Sequence, residues 1–397
     1  MISLEQAQES ILGAIPSPDI EYISPTAARD RVLALDIRAT LNLPAFDNSA
    51  MDGFAVRSQE TLDATSESPI TLRDLGISAA GDATAPDIQA RTCVRIFTGA
   101  PIPRGADAVV MQEDTRQVGD QVHILDSVRA WENVRFKGED IRSGNVVLTA
   151  GRRLNSAALG LIAALGINTL QVGRRPRLTI LATGDELKDS SEPLAEGQIY
   201  ESNRLMISAM LEAAGALCQY MAIVPDDLLA TENALAQALD SSDAVVTTGG
   251  VSVGERDHIK AAFCRLGGQL HLWRVAIKPG KPFAFGQLGG KLLFALPGNP
   301  VSAFVTGLLL VRPAVLRFQG AHRVHLPTFN AVAGERFENR GDRRHFVRVF
   351  INNEHRVVSA GTQAAHFMGS LALAEGLVDL GPGTTIQPGE TLEVLNF

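Results

Sequence analysis

The residues best suited to chemistry lie in short stretches that pair glycine with carboxylate or lysine. Asp243 to Asp257 reads Asp-Ala-Val-Val-Thr-Thr-Gly-Gly-Val-Ser-Val-Gly-Glu-Arg-Asp. Gly249 and Gly250 can take positive φ and bring the backbone close to a ligand. The free N–H groups of such a loop can cradle an anion, and Glu255 and Asp257 beyond it can hold a hard cation through oxygen. Thr183-Gly184-Asp185-Glu186 repeats the pattern of a Thr-Gly step beside carboxylates. Lys278 and Lys281 flank a Pro-Gly turn and offer counter-charge to phosphate in a chain of formal net charge −8. Pro297-Gly298-Asn299-Pro300 reads as a helix start, with Asn299 as N-cap and Pro300 at the first helical position. A helix start at a strand's carboxyl end is a ready anion site. In Pro225-Asp226-Asp227 either aspartate can cap the following helix or hold a ligand.

Further candidates stand earlier in the chain. Asp52-Gly53 reads as a hairpin or strand-leading turn, with Asp52 as a candidate carboxylate. Thr92 to Thr98 reads as a strand running into the tight loop Gly99 to Pro103. Lys137-Gly138-Glu139-Asp140 reads as a turn, or as a site where Asp140 faces a metal or an anionic substrate.

These residues need elements to position them. Ala244 to Thr248 and Leu178 to Ala182 are apolar runs suited to buried parallel strands. Loops at the carboxyl ends of such strands are the usual ligand position in an open α/β sheet. From Pro176 onward strands and helices alternate, the pattern of βαβ units. A helix is expected from Asn203 to Ala214, a strand at Ala222 to Val224 and a helix from Leu228 to Leu239. The fold class expected is multi-domain α/β plus β. A central doubly wound βαβ domain spans 175–325, and small β-rich domains span 46–140 and 326–397. A discontinuous helical N-terminal domain spans 1–45 and 141–174. In it Ser3 caps one helix, Ala27 to Ala34 forms a helical turn or two, and Leu154 to Gly166 is an alanine-rich helix.

Composition narrows the classes. At 397 residues the chain is long for one core. With 45% hydrophobic and 20% charged residues it reads as a soluble globular protein. Its negative balance argues against a broad nucleic-acid surface. Cys93, Cys218 and Cys264 form no CxxC pair and no disulfide framework, which points to a reducing cytoplasm. The N-terminus lacks the pattern of a secretory signal. No apolar run reads as a membrane span, and Gly307 to Val311 reads as part of a short core helix. Gly250 to Gly254 fits G-x-S-x-G, which makes an α/β-hydrolase with nucleophile Ser252 the sharpest enzymatic rival. No HGGG segment accompanies it, and the second Thr-Gly loop has no role in acyl transfer. Glu255 occupies the place of the P-loop lysine, so the Walker spacing is incidental.

Taken in order, Asn48 to Gly53, Phe97 to Ala100, Gly105 to Val110, Gly138 to Ile141, Thr183 to Leu187, Gly249 to Asp257, Lys278 to Pro282 and Pro297 to Pro300 resemble the molybdopterin molybdenumtransferase family. Its bacterial members are called MoeA, and gephyrin's C-terminal part is a eukaryotic relative. The resemblance implies an elongated four-domain subunit, a homodimer, and reaction of adenylated molybdopterin with molybdate and Mg²⁺ to give molybdenum cofactor and AMP. It implies a site between the βαβ domain of one subunit and the first β domain of the other. A molybdopterin adenylyltransferase is one possible partner, the identity of the delivering protein stays open, and no nucleic acid or membrane is expected. By motif, Asp52, Thr98, Asp140 and Glu186 carry over as catalytic candidates. Lys278, Lys281, Pro297 and Pro300 carry over toward the substrate, joining Thr183, Gly184, Gly249, Gly250, Ser252 and Asn299 of the loops read above. Glu186, Asp226 and Asp257 are the implied Mg²⁺ set. Arg135 offers charge for molybdate, Arg274 stands where many relatives have lysine, and Ser370 carries over from a looser C-terminal match. A scaffold protein on the same fold is the alternative from another class.

Overall fold

The computed structural model describes residues 1–81, 85–251 and 258–397. Their contacts divide the chain into two compact units. One holds Met1–Leu35, Ala150–Ser156 and Thr169–Phe397, and the other Asp36–Thr149 and Ala157–Asn168.

The larger unit is built on a six-stranded sheet. Its order is Leu217–Tyr220, Arg177–Ala182, Ala244–Thr248, Lys291–Leu296, Pro282–Leu288, Gln269–Arg274. The first four strands are parallel and the last two junctions antiparallel. Both faces are buried, so successive apolar residues serve opposite cores. Leu178, Ile180, Val246 and Phe294 pack with the helices Asn203–Ala213 and Pro300–Thr306. Leu181, Val245 and Leu293 pack with the helices Leu228–Ser241 and His258–Arg265. This two-sided burial is why the strands read as unbroken apolar runs rather than alternating ones. The chain moves outward from the Arg177–Ala182 strand to Leu217–Tyr220, then returns to pair Ala244–Thr248 on the other side. That reversal is a topological switch point, and the two glycine loops leave the sheet there.

Three local expectations are corrected. The strand placed at Ala222 to Val224 is Leu217–Tyr220 instead, and Val224 makes only a bridge to Thr183. Ala27 to Ala34 is not helical beyond a short turn at Pro25–Ala27. Its backbone bonds to distant chain instead: Leu154 N–H donates to Arg31 O and Leu33 N–H to Arg152 O. Tertiary pairing there overrides alanine's helix propensity. The core helix is longer than expected: Pro300–Phe318 runs 19 residues, long and apolar enough to cross a membrane, yet 83% of its apolar window is buried inside the protein.

The same unit carries a C-terminal barrel. Arg344–Ile351, Arg356–Ser359, Thr328–Ala333, Thr391–Asn396 and Gly376–Leu380 pair in sequence, and the last pairs back with the first. Ile277–Lys278 adds to this barrel beside Arg344 and His345. The N-terminal helix Leu4–Gly13 starts as expected at Ser3, in a reciprocal capping box with Gln6.

The smaller unit is a six-stranded, mostly antiparallel sheet. Its order is Ala108–Met111, Gly53–Val56, Thr92–Ile96, Ile70–Ser78, Gln121–Ile124, Thr115–Val118.

Candidate active site

A cavity of about 630 Å³ opens at the switch point of the larger unit. Its walls include Thr183, Gly184, Glu186, Asp226, Gly249, Gly250, Pro297, Asn299 and Pro300, nine positions singled out in the sequence. The strands bring their loops together and the glycines let them touch. A Cβ on Gly249 would stand 2.7 Å from Thr183 O, and a Cβ on Gly298 would stand 3.6 Å from Gly249 Cα. A Cβ on Gly184 would stand 2.5 Å from the Glu186 carboxylate, which folds over that residue. Gly249 and Gly184 also have φ of 89° and 151°, where a side chain is strained.

The two aspartates divide their roles. Asp227 caps the Leu228–Ser241 helix, accepting from Ala230 N–H at 2.7 Å. Asp226 makes no such bond and lines the cavity. Asn299 likewise stands at the N-cap without a side-chain cap bond among the described residues, and it lines the cavity. Two polar atoms of wall residues stand out, one on Thr183, singled out in the sequence, and one on Asn203, which was not. Among the described residues, Thr183 Oγ1 and Asn203 Oδ1 are buried without partners. Both residues line the cavity, though these two oxygens lie beneath its surface. Asn203 is held in place by its amide N–H, which donates to Gly298 O at 2.8 Å. Glu201, also in the wall, is neutralised by Arg204.

Lys278 and Lys281 are exposed and stand beside the wall residue Pro282 rather than in the wall. Their turn rests on the cavity helix: a Cβ on Gly280 would meet Thr306 Cγ2 at 2.4 Å. Lys278 pairs in register with His345. Burial, and then the charges of Lys278, Arg348 and Arg343, push the His345 imidazole down to about 4. Arg348 is fully buried. Its Nε donates to Ser370 Oγ at 3.0 Å and its Nη2 to Thr362 O at 2.8 Å. Its Nη1 has no partner among the described residues. Sequence alone did not single out Arg348, because a lone arginine in a β run looks like any surface-facing one. Arg274 is exposed at the end of its strand.

Hard-oxygen donors in this cavity suit Mg²⁺. Glu186 and Asp226 share the wall, while Asp257 and Ser252 lie outside the described residues. Among the described residues no three His, Cys, Asp or Glu converge at metal-binding distance.

The smaller unit holds the other candidates. Antiparallel pairing of Gly53 with Ile96 brings Asp52 beside Thr98. Asp52 Oδ1 accepts from Thr98 N–H at 2.7 Å and from its hydroxyl at 2.8 Å. Those two bonds, with a lesser pull from Arg95, hold the Asp52 carboxyl below the usual carboxylate range. Asp140 and Arg135 share a separate hollow of about 490 Å³ with Leu43, Pro44 and Glu139.

Comparison with known proteins agrees with this layout. Residues 2–166 match the MoeA N-terminal region (domain I and II), 179–317 a probable molybdopterin binding domain, and 330–397 the MoeA C-terminal region (domain IV). The chain is 38% identical to a molybdopterin molybdenumtransferase of Haemophilus influenzae over 98% of both chains. It is 33% identical to one of Bacillus subtilis, over 99% of this chain and 94% of that one. Among solved structures, the molybdopterin biosynthesis MoeA protein of Pyrococcus horikoshii OT3 superposes with a TM-score of 0.87, at 28% identity and full coverage of both chains. These matches favour neither the hydrolase nor the scaffold alternative. The chain belongs to the molybdopterin molybdenumtransferase family, MoeA.

Proposed function

We propose that the protein inserts molybdate into adenylated molybdopterin and releases AMP, in molybdenum cofactor biosynthesis, with Mg²⁺ as its metal. The observation that carries this reading is one cavity that gathers two carboxylates, two glycine turns and a helix start from distant parts of the chain. Glu186 and Asp226, with Asp257, would hold the metal. When bound, Mg²⁺ polarises the phosphoanhydride and offsets charge on the departing AMP.

The chain's own residues supply the rest. Gly249 and Gly250 let backbone approach the guest. Thr183 and Asn203 line its polar edge, and Asn299 with Pro297 and Pro300 shapes the helix-start wall. Lys278 and Lys281 lower the cost of gathering anions at the turn. Asp52, kept ionised by Thr98, and Asp140 serve the molybdate side. Arg135 beside Asp140 supplies the counter-charge that an oxyanion near carboxylates requires. The working form in this proposal is a cytoplasmic homodimer that receives its substrate from a molybdopterin adenylyltransferase.

The test mixes the protein with adenylated molybdopterin and Mg²⁺, with and without molybdate, and follows AMP by chromatography. Molybdate-dependent AMP release is expected. A wild-type protein that releases no AMP ends this reading.

A further inference from the structure

The cavity described above has an imbalance of charge. Its walls carry Glu186 and Asp226 without a cation beside them among the described residues, Glu201 being paired with Arg204, and Lys278 and Lys281 stand outside them. Among the described wall residues, His366 is the one side chain able to carry positive charge. It comes from the C-terminal part of the chain, far in sequence from the other walls. We propose that His366 is a substrate-binding residue that contacts the phosphoanhydride of the guest. This rests on the function proposed above and deepens it.

Three observations carry the assignment. The segment holding His366 is built into the cavity rather than draped over it. Val301 N–H, in the first turn of the cavity helix, donates to Ala365 O at 3.1 Å. On the other side, Arg348 Nη2 donates to Thr362 O at 2.8 Å and Ala364 O at 3.2 Å, and its Nε donates to Ser370 Oγ at 3.0 Å. A buried guanidinium thus grips the segment before and after His366, and Arg348 and Ser370 are its positioning residues.

Second, the imidazole is exposed and lies against the Phe367 ring, with centroids 4.8 Å apart. No hydrogen bond to either ring nitrogen occurs among the described residues, so both are available to a guest. Third, His366 does not join Glu186 and Asp226 as a metal ligand, because no such trio converges among the described residues. An imidazole that is unpaired, set in an acidic wall and apart from the metal set is suited to the guest's phosphate oxygens. A charge-assisted bond from a ring N–H there is stronger than a neutral one.

The test is steady-state AMP release by wild type, His366→Ala and His366→Lys, with thermal midpoints measured alongside. His366→Ala is expected to raise KM for adenylated molybdopterin about ten- to a hundredfold. Its kcat should stay within about threefold of wild type and its midpoint within about 2 °C. His366→Lys, which restores a cation, should recover most of the lost KM; a merely structural role would not respond to charge. Should His366→Ala fail to fold, His366→Asn serves in its place with the same expected KM. An unchanged KM in an active enzyme, or a lysine variant no better than alanine, overturns the inference alone. Absence of AMP from wild type overturns the proposed function and the inference with it.

Discussion

At the scale of single residues, environment sets charge. Asp52 is fully exposed, yet two hydrogen bonds from Thr98 hold its carboxyl below the ordinary range. In Thr98→Ala the hydroxyl donor is lost, and the Asp52 midpoint should move up toward that range; a carboxyl-detected NMR titration reads it directly. His345 runs the other way. Burial, then the neighbouring cations Lys278, Arg348 and Arg343, lower its folded value from 6.5 to about 4. The unfolded chain therefore binds more protons between those two values, and stability must rise with pH across that window. The contribution is complete above about 6.5 and is lost as pH falls toward about 4, roughly 3 kcal/mol in all. Acid unfolding followed by circular dichroism should show this slope, and His345→Gln should flatten it.

At the scale of elements, the readable parts were those where local chemistry and tertiary role coincide. The Ala244–Thr248 strand is a continuous apolar run because both its faces are buried. Its glycine loop and the Thr183 loop were legible as a pair, and they do share one cavity. Ser3 showed its cap in the residue three places on. What escaped was set by long-range pairing. Ala27 to Ala34 looked helical, but from Asp30 onward most of its N–H and C=O groups are claimed by residues 151–154 and 171–173. Arg348 carried no local mark, because its neighbours are supplied by the fold. Pro225-Asp226-Asp227 was legible as a pair of candidates but not as a division of labour. The hydrogen bond from Ala230 N–H to Asp227 assigns capping to that residue. Asp227→Ala should therefore cost about 1 kcal/mol in chemical denaturation and leave AMP release near wild type.

At the scale of the whole molecule, the candidate residues divide between the two compact units. Asp52, Thr98 and Asp140 belong to one, and Glu186, Asp226 and the cavity to the other. A site shared between subunits, as the proposed homodimer has it, makes a specific demand. Two inactive variants, Asp52→Ala and Asp226→Ala, should complement when unfolded and refolded together. Random re-pairing leaves about one site in four with both residues intact, so about a quarter of wild-type AMP release should return. Mixtures that stay inactive would place each site within one subunit.

The central claim is that the switch-point cavity holds the metal and the phosphoanhydride, with Asp226 turned to the guest rather than to the helix. Single-turnover AMP release by Asp226→Ala measures this most directly. The expected rate is about a hundredfold or more below wild type, with an unchanged unfolding midpoint. AMP release at the wild-type rate would contradict it.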